Sequence, residues 1–192
     1  HYPTDRVFAQ PEIRAMWLDR GTIVKARSEA DLAKIFDRMA DAGINTVFFE
    51  TVNASYPIYP SRVAPEQNPL TQGWDPLKAA VKLAHERNME LHAWVWAFAA
   101  ANQGHNKVLD QPEDYLGPVL SRNPEWGITD RNGNPFDTGA QFKKSFYDPA
   151  NPEVRRYLLA LYEEIVTNYD VDGLQRQRCE SGFWLARLCQ VT

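Results

Sequence analysis

Cysteine is almost absent from this 192-residue chain, and its two copies, Cys179 and Cys189, both lie near the C-terminal end. No disulfide framework therefore holds the main body together, and a hydrophobic core has to do so. The 44% apolar and 24% charged residues suit an ordinary globular domain with one core. No run of about 18 apolar residues occurs, so no segment reads as a membrane-spanning helix. The N-terminal His1-Tyr2-Pro3-Thr4-Asp5 lacks the basic and apolar regions of an export signal, and it reads as a trimmed mature end or a fragment boundary. Basic excess is missing as well. A formal charge of −4 and a pI near 5.6 provide no sign of the cationic stripe that a nucleic-acid backbone requires, so nucleic acid is not the expected partner. His1, His85, His92 and His105 show no close ligand spacing and neither cysteine is near them in sequence, so neither a metal nor another cofactor is expected. There is no Gly-x-Ser-x-Gly elbow for a nucleophilic serine.

What is present is an alternation of strand and helix signals. Ile13 to Leu18 reads as a short strand broken by Asp19-Arg20-Gly21. Ser28, with Asp31 three residues on, caps a helix whose Leu32, Ile35, Phe36 and Met39 repeat at helical spacing up to Gly43. Asn45 to Asn53 is β-branched and aromatic and reads as a buried strand. The proline-rich stretch from Tyr56 reads as loop, until Asp75-Pro76 supplies a cap and a first-turn proline for a helix carrying Leu77, Ala80, Val81 and Ala84. Asn88 is a left-handed terminator before a third strand, Glu90 to Ala97. From Ala99 to Ala150 glycine and proline recur too often for regular structure, and loops this long are uncommon unless functional. Asn151-Pro152 opens a third helix, and a fourth strand is expected near Val171.

This order implies a parallel sheet with helical crossovers, hence an α/β fold. No glycine-rich phosphate loop follows the first strand, so a (β/α)8 barrel of the TIM type is favoured over an open dinucleotide-binding sheet. Only about the first half of such a barrel is represented. Aromatic residues make up 12% of the chain, and Tyr56, Trp74 and Trp126 fall in apparent loops, where rings either line a sugar groove or pin the loop down.

From about Glu12 to Gln175 the sequence resembles the bacterial glycosyl-hydrolase-like family ten. The similarity is carried by Glu12 to Leu18, Gly43 to Asn53 with Tyr56 to Ser61, Asp75 to Trp94, Asn123 to Trp126, Tyr147 to Arg155 and Tyr169 to Gln175. The resemblance implies a carbohydrate-active (β/α)-barrel, often exported to act at the cell surface, that hydrolyses O-glycosidic bonds in a polysaccharide or cell-wall glycan. The alternative is a non-catalytic carbohydrate-binding remnant. A metal-dependent polysaccharide deacetylase is disfavoured by the histidine spacing. After Gln175 the family pattern stops, and Arg176-Gln177-Arg178 stands where a central strand should be apolar. Residues 1–175 are therefore read as barrel, and 176–192 as an atypical tail that is not the native continuation, unless Phe183, Trp184, Leu185 and Leu188 form a capping helix.

In such a barrel the site forms at the C-terminal ends of the strands. Thr46, Phe48 and Glu50 share one strand face, which puts Glu50 near the mouth as the candidate catalytic carboxyl, or as an acceptor for a sugar hydroxyl, or else as a buried acid satisfied by backbone or arginine, with Asn53 beyond it as a substrate contact. On the third strand His92, Trp94 and Trp96 share the inward face and supply polar and flat apolar surface for a sugar, or else simply fill the barrel. Asp148 and Asp172 read as structural, one in a turn and the other at a strand entry.

Overall fold

The computed structural model describes residues 12–137 and 143–177. Four parallel strands form the principal sheet: β1 (Ala15–Leu18), β2 (Thr46–Asn53), β4 (Glu90–Trp96) and β8 (Gly173–Gln177). They lie side by side in that order, with a two-residue antiparallel addition, β3 (Tyr56–Pro57), paired to β2. A monotonic order with no reversal is the winding of a barrel, whereas a doubly wound sheet switches direction. The chain thus forms a (β/α)-barrel arc, with the helices on one face and the concave face on the other.

Each crossover helix begins where its cap predicts. Ser28 accepts from the Asp31 N–H at 3.2 Å to open α2 (Glu29–Asp41), and Asp75 accepts from the Lys78 N–H at 3.0 Å to open α3 (Pro76–His85). Asn151 accepts from the Glu153 N–H at 2.8 Å ahead of α6 (Pro152–Asn168). Asn88 adopts φ +53, the left-handed geometry expected of it. The apolar stripes of α2 and α3 pack on Val47, Phe49, Leu91, Ala93 and Val95, all fully buried. α6 bridges two clusters: Leu161 and Ile165 join this core, whereas Val154 and Leu158 pack with Ala100, Val119, Leu120 and Tyr147.

Several expectations are corrected. Ile13 is 76% exposed and outside β1. Asp19-Arg20-Gly21 does more than break a strand: the Asp19 carboxylate accepts from the Thr22 N–H at 2.8 Å and caps a one-turn helix, α1 (Arg20–Ile23). The loop-like stretch after Ala99 contains a second sheet, in which β7 (Lys144–Phe146) lies between β5 (Ala99–Asn102) and β6 (Phe136–Asp137). It also contains α4 (Gln103–Val108) and α5 (Gly117–Leu120). The proline-rich stretch is no free loop either, since the α6 carboxylate of Glu164 accepts from Tyr59 Oη, Ser61 Oγ and the Arg62 N–H.

β8 starts at Gly173, two residues later than expected, and continues through Arg176 and Gln177. Arg176 is tolerated because its register partner is Val95, on the helix-facing side of what is the outer strand among the described residues, where its own side chain is exposed. Residues 178–192, including both cysteines and the expected capping helix, lie outside the described residues, as does His1.

Candidate active site at the strand ends

The concave face is built in layers set by strand register. Trp17, Phe48 and His92 align across β1, β2 and β4; the Trp17 and Phe48 rings stack at 4.6 Å, and His92 tilts against Phe48 at 5.3 Å. Gly173 completes this row, and any side chain there would strike the His92 imidazole. The next layer toward the mouth aligns Glu50 with Trp94 and Gln175, whose Oε1 accepts from Trp17 Nε1 at 3.1 Å. Trp96 stands one step further, its ring 6.0 Å from Trp94 and 5.1 Å from the Lys144 ammonium.

Glu50 and Asn53 are three residues apart, so in a regular strand they would face opposite ways. The register slips between Glu50, opposite Trp94, and Val52, opposite Val95, leaving Thr51 as the extra residue of a bulge. The bulge restores Val52 to the buried helix side and turns Asn53 inward, so that Asn53 Nδ2 donates to Glu50 Oε1. The backbone N–H of Arg20 donates to Glu50 Oε2. Both carboxyl oxygens are thus held, in a side chain only 3% exposed.

Burial pushes the Glu50 carboxyl above the usual carboxylate range, opposed by the Arg20 N–H, the Asn53 amide and the Arg20 charge, while Asp19 pushes the same way as burial. The Arg20 guanidinium is itself drawn below its ordinary value by burial, and its Nη1 meets no acceptor among the described residues.

Arg20 also acts on His105 of α4. His105 is 2% exposed, lies edge-on to Tyr56 at 5.2 Å, and its Nε2 faces Asn68 Nδ2 at 3.4 Å. Burial first, and Arg20 second, lower it to about 3. The ring is therefore neutral at pH 7, with Nε2 as acceptor for Asn68 and the proton on Nδ1.

Of the residues singled out from sequence, the structure brings Glu50, Asn53, Trp94 and Trp96 together at the strand ends. His92 lies one layer deeper, with its Nε2 3.0 Å from Glu90 Oε2 toward the N-terminal ends of the strands. Asp172 accepts from the Leu91 N–H at 2.7 Å and pairs with His85 at 2.9 Å, and Asp148 accepts from the Ala150 N–H at 2.8 Å. Both are structural. Tyr56 and Trp126 pin their segments against His105 and Tyr157, and Trp74 packs on the main core. Arg20 and His105 are the functional candidates that sequence reasoning passed over. Arg20 was legible only as a breaker, and its closeness to Glu50 follows from β1 lying beside β2. Among the described residues, no three His, Cys, Asp or Glu side chains group as a metal site would.

Comparison with known proteins agrees with the (β/α)-barrel fold. The chain is 26% identical over 179 residues to the glycosyl hydrolase YngK of Bacillus subtilis (strain 168), a match covering 85% of this chain and 32% of YngK. It is 27% identical over 157 residues to the glycosyl hydrolase DigH of Escherichia coli (strain K12), covering 79% of this chain and 34% of DigH. The chain thus spans about a third of the length of these curated relatives. Among solved structures, the noncanonic maltogenic alpha-amylase AmyB of Thermotoga neapolitana superposes with a TM-score of 0.53 at 25% identity, over 86% of this chain and 38% of AmyB. Residues 12–178 match the family Glycosyl hydrolase-like 10, and the chain belongs to it.

Proposed function

We propose that this chain supplies part of the cleft of a protein that hydrolyses O-glycosidic bonds in a polysaccharide or cell-wall glycan outside the cytoplasm. Glu50 is the catalytic carboxyl, Asn53, Trp94 and Trp96 line the substrate side, and His92 backs them from the layer below. The observation that carries the reading is Glu50 itself: a carboxyl at the strand ends, held at both oxygens and raised by burial, suits proton donation to a leaving glycosidic oxygen. The neighbouring indoles offer the flat apolar surface that sugar rings stack on.

A second reading, carbohydrate binding without turnover, is favoured by one specific feature. A glycosidase needs two carboxyl groups across one cleft, and the other acid that acts on Glu50, Asp19, is engaged in capping α1. Calorimetry with soluble chito- and cello-oligosaccharides tests the common core of both readings. Millimolar binding, weakened severalfold by Trp94→Ala, is the expected result; no binding at millimolar ligand overturns both. Turnover of aryl glycosides that disappears in Glu50→Gln decides for catalysis, and binding without turnover decides for the second reading.

A further inference from the structure

The turn that follows Asn53 is made of unusual residues. β2 and β3 are joined by Ala54 and Ser55 alone, with Asn53 opposite Tyr56, and both linking residues have positive φ, +49 and +68. A two-residue hairpin with that geometry ordinarily uses Asn and Gly, which reach the left-handed region at little cost. Ala and Ser do not, so the surroundings must hold the turn in place.

The holding contacts come from the second sheet. Ser55, buried, donates its hydroxyl proton to the Ala100 carbonyl at 2.6 Å. Its oxygen is then left to accept from Tyr147 Oη at 2.5 Å, since a carbonyl can only accept and a hydroxyl has one proton to give. Tyr147 is fixed in turn: its N–H donates to the Phe98 carbonyl at 2.9 Å, and its ring sits in the second core with Ala100, Val119 and Leu120. The Ala100 carbonyl is hemmed in by Gly117, where even a Cβ would lie 2.5 Å from the oxygen.

From this geometry we infer that Ser55 and Tyr147 are positioning residues that hold the Asn53 amide on the Glu50 carboxylate, so that the second sheet sets the state of the strand-end carboxyl. The inference rests on the reading of Glu50 as the working carboxyl. It gives the second sheet a task, with the path running from the Tyr147 hydroxyl through Ser55 and the strained turn to Asn53. The charged groups that act on Glu50, Arg20 and Asp19, stand on the segment after β1 and are not part of this path.

The test is a carbon-13 NMR titration of the Glu50 carboxyl in the 192-residue chain. Tyr147→Phe deletes one oxygen and keeps the ring; Ser55→Ala deletes the other hydroxyl. Loosening a hydrogen bond to the ionised form raises a carboxyl midpoint, so both variants should titrate about half a unit or more higher than wild type. Tyr162→Phe, which removes a buried hydroxyl with no partner among the described residues, should titrate as wild type. If Ser55→Ala does not fold, Tyr147→Phe carries the test. An unchanged or lowered Glu50 midpoint in folded Tyr147→Phe overturns the inference, as does an equal rise in Tyr162→Phe. No glycan enters the measurement, so failure of the proposed function and failure of this inference are separately visible.

Discussion

The two faces of the parallel sheet divide the work of the molecule. On the helix-covered face Val47, Phe49, Leu91, Ala93 and Val95 are fully buried, whereas on the concave face Phe48, His92, Trp94 and Trp96 are half-buried and Trp17 is 51% exposed. Large rings left partly in water contribute little to folding, while closely packed aliphatic and aromatic side chains contribute most of it. Stability is thus concentrated on one side of each strand and the candidate site on the other. Glu50 departs from this pattern, because it is a concave-face carboxyl that is nonetheless buried. A buried acid costs stability unless it is bonded, and its two donors, the Arg20 N–H and the Asn53 amide, come from segments at the strand ends rather than from the strands' interior.

The largest effect that could break this comparison is a pair of aromatic truncations. Phe49→Ala should cost about 3 to 5 kcal/mol, since the ring is fully buried and the cavity it leaves cannot collapse, while Trp17→Ala should cost about 1 kcal/mol or less despite removing a larger ring. Urea unfolding of the two variants measures both. Equal losses would mean that the concave face carries as much of the folding energy as the helix face.

That division is readable in the sequence alone, because the alternation of β4, with Leu91, Ala93 and Val95 against His92, Trp94 and Trp96, assigns the faces by itself. The caps at Ser28, Asp75 and Asn151 were equally plain, since a helix end writes its need for an acceptor into one residue. Other features depend on contacts far apart in the chain. Ala99–Asn102 shows no β pattern, and its pairing to Lys144–Phe146 across a long excursion has no local signature. The bulge at Thr51 is similarly silent, yet it alone lets Asn53 reach Glu50. The barrel was therefore legible from local signals, and the site only as far as the residues that strand alternation could place.

Acidity sharpens the comparison next. Glu50 and His105 are both buried near the strand ends but respond oppositely. Glu50 binds its proton more tightly in the folded state, so its contribution is greatest below the ordinary carboxyl value and is lost as pH rises through its native value. His105 is lowered to about 3, so its contribution is complete above pH 6.5 and is lost as pH falls from there. Between pH 7 and pH 4 the unfolded chain protonates this histidine and the native state does not, a loss of about 3 kcal/mol. His105→Gln should remove that component, and comparing unfolding free energies of variant and wild type across this range isolates it from other groups. Parallel curves would show that His105 is hydrated and charges freely.

A smaller effect probes how tightly the second sheet is locked against the turn at Ala54 and Ser55. Gly117 has φ +84, and a Cβ there would press on the Ala100 carbonyl that Ser55 uses. Gly117→Ala should cost about 1 to 3 kcal/mol through backbone strain and the displaced carbonyl. Thermal unfolding measures the cost, and an unchanged midpoint would mean that this contact yields freely.

The smallest effect lies at the end of the barrel away from the strand-end site, where the chain leaves α3 for β4. Asn88 closes that helix at φ +53 and is exposed, so its side chain packs on nothing that truncation would remove. Its value is conformational: asparagine tolerates the left-handed region, alanine resists it, and glycine enters it freely but has more disorder to lose on folding. Asn88→Ala should therefore cost about 1 kcal/mol, whereas Asn88→Gly should stay within about 0.5 kcal/mol of wild type because relieved strain and added chain entropy nearly cancel. Chemical denaturation resolves this difference if the unfolding slope is the same in all three proteins. Since β4 carries Trp94 and Trp96 at its far end, the same variants also ask whether the two ends of the strand are mechanically independent. Asn88→Ala should leave the Glu50 titration where it is in wild type, because the fully packed helix face between the two ends absorbs a local strain. A displaced Glu50 midpoint would show that the stabilising face transmits what happens at one end to the other.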